Sequence, residues 1–197
     1  MILKHNYWWF KSVIKESVCD DIVNHAKKLK DQIAVTGDIN ENNLTEETVK
    51  DLKKTRDSNV VFLKDSWIYE LIIPYIDLAN KNAEWNFDIE GAEACQFTEY
   101  GVGEYYGWHY DMHTEHGKKI RKLSVTCNLS NPEDYEGGDL EFSIYNPDKK
   151  SNLFKCTQIK PRGSIVVFPS FVWHRVKPVT RGKRYSLVIW NQGDKFK

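Results

Sequence analysis

The pattern of apolar and polar positions changes near residue 92. Before it, apolar residues recur at helical spacing. In "SVCDDIVNHAKKLK", Val18, Ile22, Ala26 and Leu29 share one face, with Ser17 in the N-cap position and Asp20 three residues on. "SWIYELIIPYIDLANKNA" predicts a further helix, capped by Ser66, which Pro74 should bend or divide. Between these two, residues 36–58, "TGDINENNLTEETVKDLKKTRDS", are strongly polar and predict one short helix from Thr45 within a mobile excursion. After residue 92 come short β-prone runs, "AEACQFTEY", "KLSVTCNLS", "GDLEFSIY", "GSIVVFPS" and "RYSLVIW", separated by turn signals such as "YGVG", "NPEDYEGG" and "KPVTRG". Many short strands after an α-rich first half predict an α+β fold: an antiparallel sandwich or jelly roll with the N-terminal helices packed outside.

Two of the runs alternate in an unusual way. Ala92, Ala94, Gln96, Thr98 and Tyr100 share one face of the first. Arg184, Ser186, Val188 and Trp190 share one face of the last, and Tyr185, Leu187 and Ile189 share the other. Such polar faces meet either water or the interior of a barrel that holds a polar ligand.

Composition narrows the picture. The 197 residues are 41% hydrophobic and 13% aromatic, enough for a core in one domain. Lys plus Arg and Asp plus Glu both number 28, so no basic excess marks a dedicated nucleic-acid binder. "MILKHNYWWFKSVIKES" lacks the apolar core of a signal peptide, and no apolar run approaches the roughly 20 residues of a membrane span. Cys19, Cys95, Cys127 and Cys156 are widely spaced, which reads as reduced thiols in a cytoplasmic protein.

The chemistry lies in "GWHYDMH". His109 and Asp111 are i and i+2, so on a strand both side chains point the same way. HxD alone is weak, and His174 in "FPSFVWHRV" alone reads as a core histidine. Together they supply two imidazoles and one carboxylate, the facial set of non-haem Fe(II) oxygenases. Ten positions after His174 stands Arg184, on the strand face assigned to the barrel interior. A buried arginine needs a partner, and a dicarboxylate ligand would be one, with Ser186 on the same face donating to the same group. Arg181 and Lys183 read as surface residues. His113 and His116 read as loop residues near the site mouth, and His5 and His25 as unrelated to it.

"YGVGEYYGWHYD", "LSVTCNLSNPEDYEGGDLEF" and "KPRGSIVVFPSFVWHRVKPVTRGKRYSLVIW" resemble, over residues 90–191, the Fe(II)/2-oxoglutarate dioxygenases of the prolyl 4-hydroxylase type, and among them the PKHD-type hydroxylases. The resemblance implies a double-stranded β-helix core over 91–193, with residues 1–90 as α-rich support and lid region in a single domain of 1–197. It implies Fe(II) on His109, Asp111 and His174, and 2-oxoglutarate on Arg184. Tyr100 and Asn128 become further co-substrate contacts, and Gly137 and Gly138 a conformational turn. O2 is then a reactant and ascorbate an accessory reductant. "RDSNVVFL" is similar to the N-terminal part of the superfamily. Arg56 there points to the substrate mouth or forms a surface salt bridge, and Trp8 and Trp9 pack against the barrel.

The leading expectation is hydroxylation of a prolyl residue in a peptide or protein, giving succinate and CO2. The same chemistry on another residue, a small molecule or a nucleobase stays open. So does a jelly-roll module that binds metal or ligand without turnover. The oligomeric state is left open.

Overall fold

A computed structural model describes residues 3–29, 32–33, 45–115, 119–145 and 153–196. Along the first half run β1 (Trp8–Phe10), α1 (Glu16–Ala26), β2 (Gln32–Ile33), α2 (Glu46–Thr55), β3 (Arg56–Asp57), β4 (Asn59–Leu63) and α3 (Ser66–Asn82). Strands dominate the remainder: β5 (Gly91–Ala92), β6 (Cys95–Tyr100), β7 (Tyr105–His109), β8 (Thr114–Glu115), β9 (Lys119–Asn128), β10 (Tyr135–Gly137) and β11 (Leu140–Ser143). β12 (Leu153–Lys155), β13 (Ile165–Pro169), β14 (Trp173–Val176), β15 (Val179–Gly182) and β16 (Arg184–Asp194) complete them.

The major sheet runs β1-β13-β9-β16-β6-β4-β2 and the minor sheet β12-β11-β14-β7-β3, while β10 and β15 pair separately. The two sheets form an antiparallel jelly roll with the helices outside. Period-2 alternation divides the major sheet between two environments. Cys95 and Phe97 of β6, Leu123, Val125 and Cys127 of β9, and Leu187 and Ile189 of β16 join one core with Ile22 of α1 and Ile68, Ile72 and Ile76 of α3. On the other face Tyr100, Val166 and Phe168 meet Leu140, Phe142 and Val176 of the minor sheet in a second core. All four cysteines are buried as free thiols, and burial raises the pKa of each.

Local signals were read unevenly by the sequence. α1 begins two residues earlier than Ser17 implies: Val18 and Cys19 donate to the carbonyl of Lys15, the N-cap, with no side-chain cap bond. Leu29 lies beyond the end of α1 and is exposed. Asp65, not Ser66, is the N-cap of α3, and its carboxylate is engaged by His25 Nε2 at 3.0 Å instead of by the helix. Pro74 does not divide α3. It lies on the exposed side, as does Glu70, whose carbonyl loses its helical partner to the missing N–H. Residues 36–44 of the expected lid lie outside the described residues. The helix expected from Thr45 is present as α2, closed by a reciprocal Thr45–Thr48 capping box. Tyr105 of β7 donates to the carbonyls of Lys53 and Lys54, at 3.0 and 2.8 Å, tying the end of α2 to the minor sheet. At the N-terminus Trp8 packs on the helix-side core, while Trp9, its neighbour on β1, is exposed.

The glycine pair at the end of β10 is required by geometry. Gly137 and Gly138 have φ of +71° and +59°, a region disfavoured for residues with a Cβ. A Cβ on Gly138 would stand 2.9 Å from Cδ of Arg184. Gly138→Ala should therefore cost about 1–3 kcal/mol of stability from backbone strain alone. Denaturant unfolding checks this, and a midpoint equal to wild type would refute it.

Candidate functional site

β7 and β14 are neighbours in the minor sheet, and their register sets His109 directly opposite His174. β7 ends at His109, so Asp111 lies past the strand rather than on it. The turn before β14 holds it there: the N–H groups of Asp111 and Met112 donate to the carbonyl of Ser170 at 2.8 and 2.9 Å. One ligand atom from each of His109, Asp111 and His174 falls within 4.8 Å of the others. The Nε2 atoms of His109 and His174 face the two Asp111 carboxylate oxygens at 3.5 and 3.4 Å.

Each imidazole is oriented from behind. His109 Nδ1 lies 2.8 Å from the carbonyl of Gly107, and His174 Nδ1 lies 3.0 Å from that of Val172. Donation from Nδ1–H to these carbonyls leaves each Nε2 lone pair aimed at the shared centre, the second-layer arrangement that supports metal ligation. Tyr106 stacks on the His109 ring at 3.5 Å, and Phe168 meets the His174 ring edge-on at 4.6 Å. Burial, reinforced by His174, drops the pKa of His109 to about 3. Burial alone would raise the Asp111 carboxyl, but the two imidazoles, the Ser124 hydroxyl and Arg121 outweigh it and hold the pKa at about 2. A neutral imidazole beside a charged carboxylate is the state a divalent cation requires.

These groups open into one cavity whose other wall is the inward face of the major sheet. Gln96, Tyr100, Arg184, Ser186, Val188 and Trp190 all line it, so the polar faces of β6 and β16 meet a cavity and not bulk water. Arg184 is 2% exposed. Its Nη1 donates to Ser186 Oγ at 3.3 Å, and its guanidinium lies 5.5 Å from the Tyr100 ring. Among the described residues no carboxylate pairs with it. By contrast Arg181 pairs with Glu136 and Lys183 with Glu99, both at the surface.

Asn128 departs from its expected place. It is buried but does not line the cavity: its Nδ2 donates to the carbonyls of Ser130 and Lys160, at 3.0 and 2.8 Å, and fixes the loops there. His113 is exposed and outside the cluster, and His116 lies outside the described residues. His5 packs edge-on against Trp8. Of the two readings of Arg56, the surface salt bridge is not found among the described residues. Arg56 is 5% exposed and lines the cavity, with Nε donating to Ser58 Oγ at 2.9 Å. The signal for this was the i, i+2 spacing of Arg56 and Ser58 in "RDSNVVFL", the same strand logic that pairs Arg184 with Ser186. Sequence reasoning also did not anticipate the ring of Tyr106 on His109, or the Trp190 indole N–H, which is buried with no hydrogen-bond partner among the described residues.

The model of the 2OG-Fe(II) oxygenase superfamily matches residues 95–192. The chain belongs to that superfamily. Its members use Fe(II) and 2-oxoglutarate, and the donor set of His109, Asp111 and His174 and the unpaired Arg184 fit those two groups. A PKHD-type hydroxylase of Hyphomonas neptunium is 41% identical over 96 residues, 47% of this chain and 39% of that protein. One from Synechococcus sp. strain CC9902 is 40% identical over 90 residues, 45% of this chain and 36% of that protein. The chain thus spans about two fifths of the length of the curated relatives it matches. Two solved structures share the fold along nearly the whole chain. The viral collagen prolyl hydroxylase of Paramecium bursaria Chlorella virus-1 has a TM-score of 0.68 at 19% identity, covering 96% of this chain and 97% of its own. A prolyl-4-hydroxylase of Pseudomonas putida has a TM-score of 0.69 at 17% identity, covering 98% and 95%.

The His109 imidazole makes a pH prediction. Its folded pKa of about 3 lies below the ordinary 6.5, so the unfolded chain binds the proton first as pH falls. The contribution to stability is complete above about pH 6.5 and is lost on descent towards 3. In the metal-free protein, His109→Gln should flatten the pH dependence of the denaturant midpoint across that window. Identical slopes for variant and wild type would contradict it.

Proposed function

We propose that the protein is an Fe(II)- and 2-oxoglutarate-dependent hydroxylase acting on a prolyl residue of a peptide or protein and yielding succinate and CO2. The observation that carries this reading is the meeting, in one cavity, of two imidazoles, one carboxylate and a buried guanidinium without an acid partner. In this reading His109, Asp111 and His174 hold the iron, and Arg184 holds the distal carboxylate of 2-oxoglutarate. Ser186 donates to that carboxylate, and Tyr100 closes the same end. The prolyl substrate is supported by the prolyl hydroxylases that share the fold and by the PKHD-type relatives.

Iron with 2-oxoglutarate and O2 supplies the oxidising chemistry, delivering one oxygen atom to a C–H bond and the other to succinate. The protein's task is placement. The Gly107 and Val172 carbonyls keep the two Nε2 lone pairs converged. Ser170 and Ser124 fix Asp111 between them. Arg184 sets the co-substrate's orientation from the opposite sheet, and Val188, Leu140, Phe168 and Trp190 exclude water between.

We further take residues 1–197 as a single dioxygenase domain, because α1 and α3 pack on the back of the sheet whose front forms the cavity. The four buried free thiols support a cytoplasmic location. No helix among the described residues is long and apolar enough to cross a membrane.

Two measurements test the assignment. Asp111→Ala and His174→Ala should lose Fe(II) binding and turnover while remaining folded, and titration curves that match wild type would refute the ligand set. Zinc should also bind this site in wild type, since affinity does not favour Fe(II) over Zn(II). Arg184→Ala should raise the 2-oxoglutarate requirement roughly 10- to 150-fold, the equivalent of about 1.5–3 kcal/mol for a charge-assisted bond. Arg184→Lys should recover only part of this, because an ammonium lacks the planar fork, and Arg181→Ala should do little. Succinate formation against 2-oxoglutarate concentration separates the three.

A further inference from the structure

Arg56 is a second buried cation in the cavity, and the co-substrate leaves it unused. It stands on β3 at the edge of the minor sheet, whereas Arg184 stands on β16 inside the major sheet, so the two reach the cavity from different walls. The guanidinium lies 4.6 Å over the Tyr106 ring, and that ring stacks on His109 at 3.5 Å. Arg56 is therefore one aromatic ring removed from the metal cluster. Its Nε–H donates to Ser58 Oγ, and its two Nη groups make no hydrogen bond to protein among the described residues. The nearest acid in sequence, Asp57, is engaged outside the cavity by Lys53 at 3.0 Å.

Charge then decides what Arg56 is for. This step rests on the functional reading above. With Fe(II), Asp111, the two carboxylates of 2-oxoglutarate and Arg184 in place, three positive and three negative formal charges cancel. The charge of Arg56 remains, on a side chain only 5% exposed and without a counter-ion among the described residues, which is costly unless something supplies one. A neutral peptide group would satisfy its hydrogen bonds but not its charge. A carboxylate satisfies both, in the bidentate geometry that two free Nη groups offer.

We propose that Arg56 binds a carboxylate of the primary substrate, so that this enzyme hydroxylates a residue bearing an acidic group close to the reacting C–H bond. Two sources carry that chemistry: the free α-carboxylate of an amino acid or C-terminal residue, and an acidic side chain beside an internal residue. The ligand does not compete with 2-oxoglutarate, because Arg184 serves the latter from the facing sheet.

The test uses matched probes on the full chain loaded with Zn(II) and 2-oxoglutarate, where no turnover interferes. Proline is compared with prolinamide, acetyl-Gly-Pro with its C-terminal amide, and acetyl-Asp-Pro-amide with acetyl-Asn-Pro-amide, by calorimetry. At least one carboxylate probe should bind roughly 10- to 150-fold more tightly than its neutral partner. The first two pairs report an α-carboxylate and the third a side chain. Arg56→Gln should erase the preference, and Arg56→Lys, which keeps charge and length, should retain part of it. Equal binding within every pair, no binding by any carboxylate probe, or a preference that survives in Arg56→Gln would overturn the proposal. The wild-type comparison needs no variant, so a misfolded substitution leaves the test intact. Binding of Zn(II) and of 2-oxoglutarate is measured before any probe is added. Failure there counts against the metal and co-substrate reading, whereas failure of the probes alone counts against Arg56.

Discussion

The structure depends on the alternation of β16. One strand separates an apolar core from a polar cavity: Leu187 and Ile189 point to the helices, while Arg184, Ser186 and Trp190 point to the minor sheet. A slip of one residue against β9 or β6 would drive Arg184 into the helix-side core and strand leucine in the cavity. Both outcomes are costly enough to forbid the slip, so the register is fixed by the same charge that lines the cavity. Eleven residues of β16, paired on both sides, make that register hard to lose.

The cavity is a concentrated electrostatic liability. Asp111, Arg56 and Arg184 are all nearly inaccessible to solvent, and neither arginine has a carboxylate partner among the described residues. What offsets their burial is the apolar packing on both faces of the major sheet, with α1 and α3 behind it and Phe142, Phe168 and Val176 beside it. The helices of the N-terminal half thus bear on function without touching the site. They supply the burial that lets the sheet carry Arg184, without a carboxylate partner among the described residues, on its other face.

What the sequence disclosed was the part governed by strand periodicity. The inward set of β16 and the polar face of β6 follow from a two-residue repeat, and both reach the cavity that His109 and Asp111 line, although Asp111 lies past the end of β7 and is placed by the Ser170 carbonyl rather than by the repeat. What it concealed depended on pairing between distant segments. Whether Arg56 faces water or cavity is decided by β3 joining β7, a contact between residues about fifty apart in the chain. Asn128 has the right parity for the cavity, yet carbonyls of neighbouring loops capture its amide. Capping signals failed for a related reason: Asp65 had a competing partner in His25, forty residues away, and no local rule anticipates such competition.

The two-residue length of β3 has an evolutionary corollary. His109, His174 and Arg184 sit on β7, β14 and β16, each flanked by strands on both sides. Arg56 sits on the outermost strand of the minor sheet, held by β7 and by the docking of α2 through Tyr105. Changes at that margin alter one rim of the cavity without disturbing the ladders that position the reactive groups. The architecture therefore separates a centre locked between paired strands from a rim that can be rebuilt on its own.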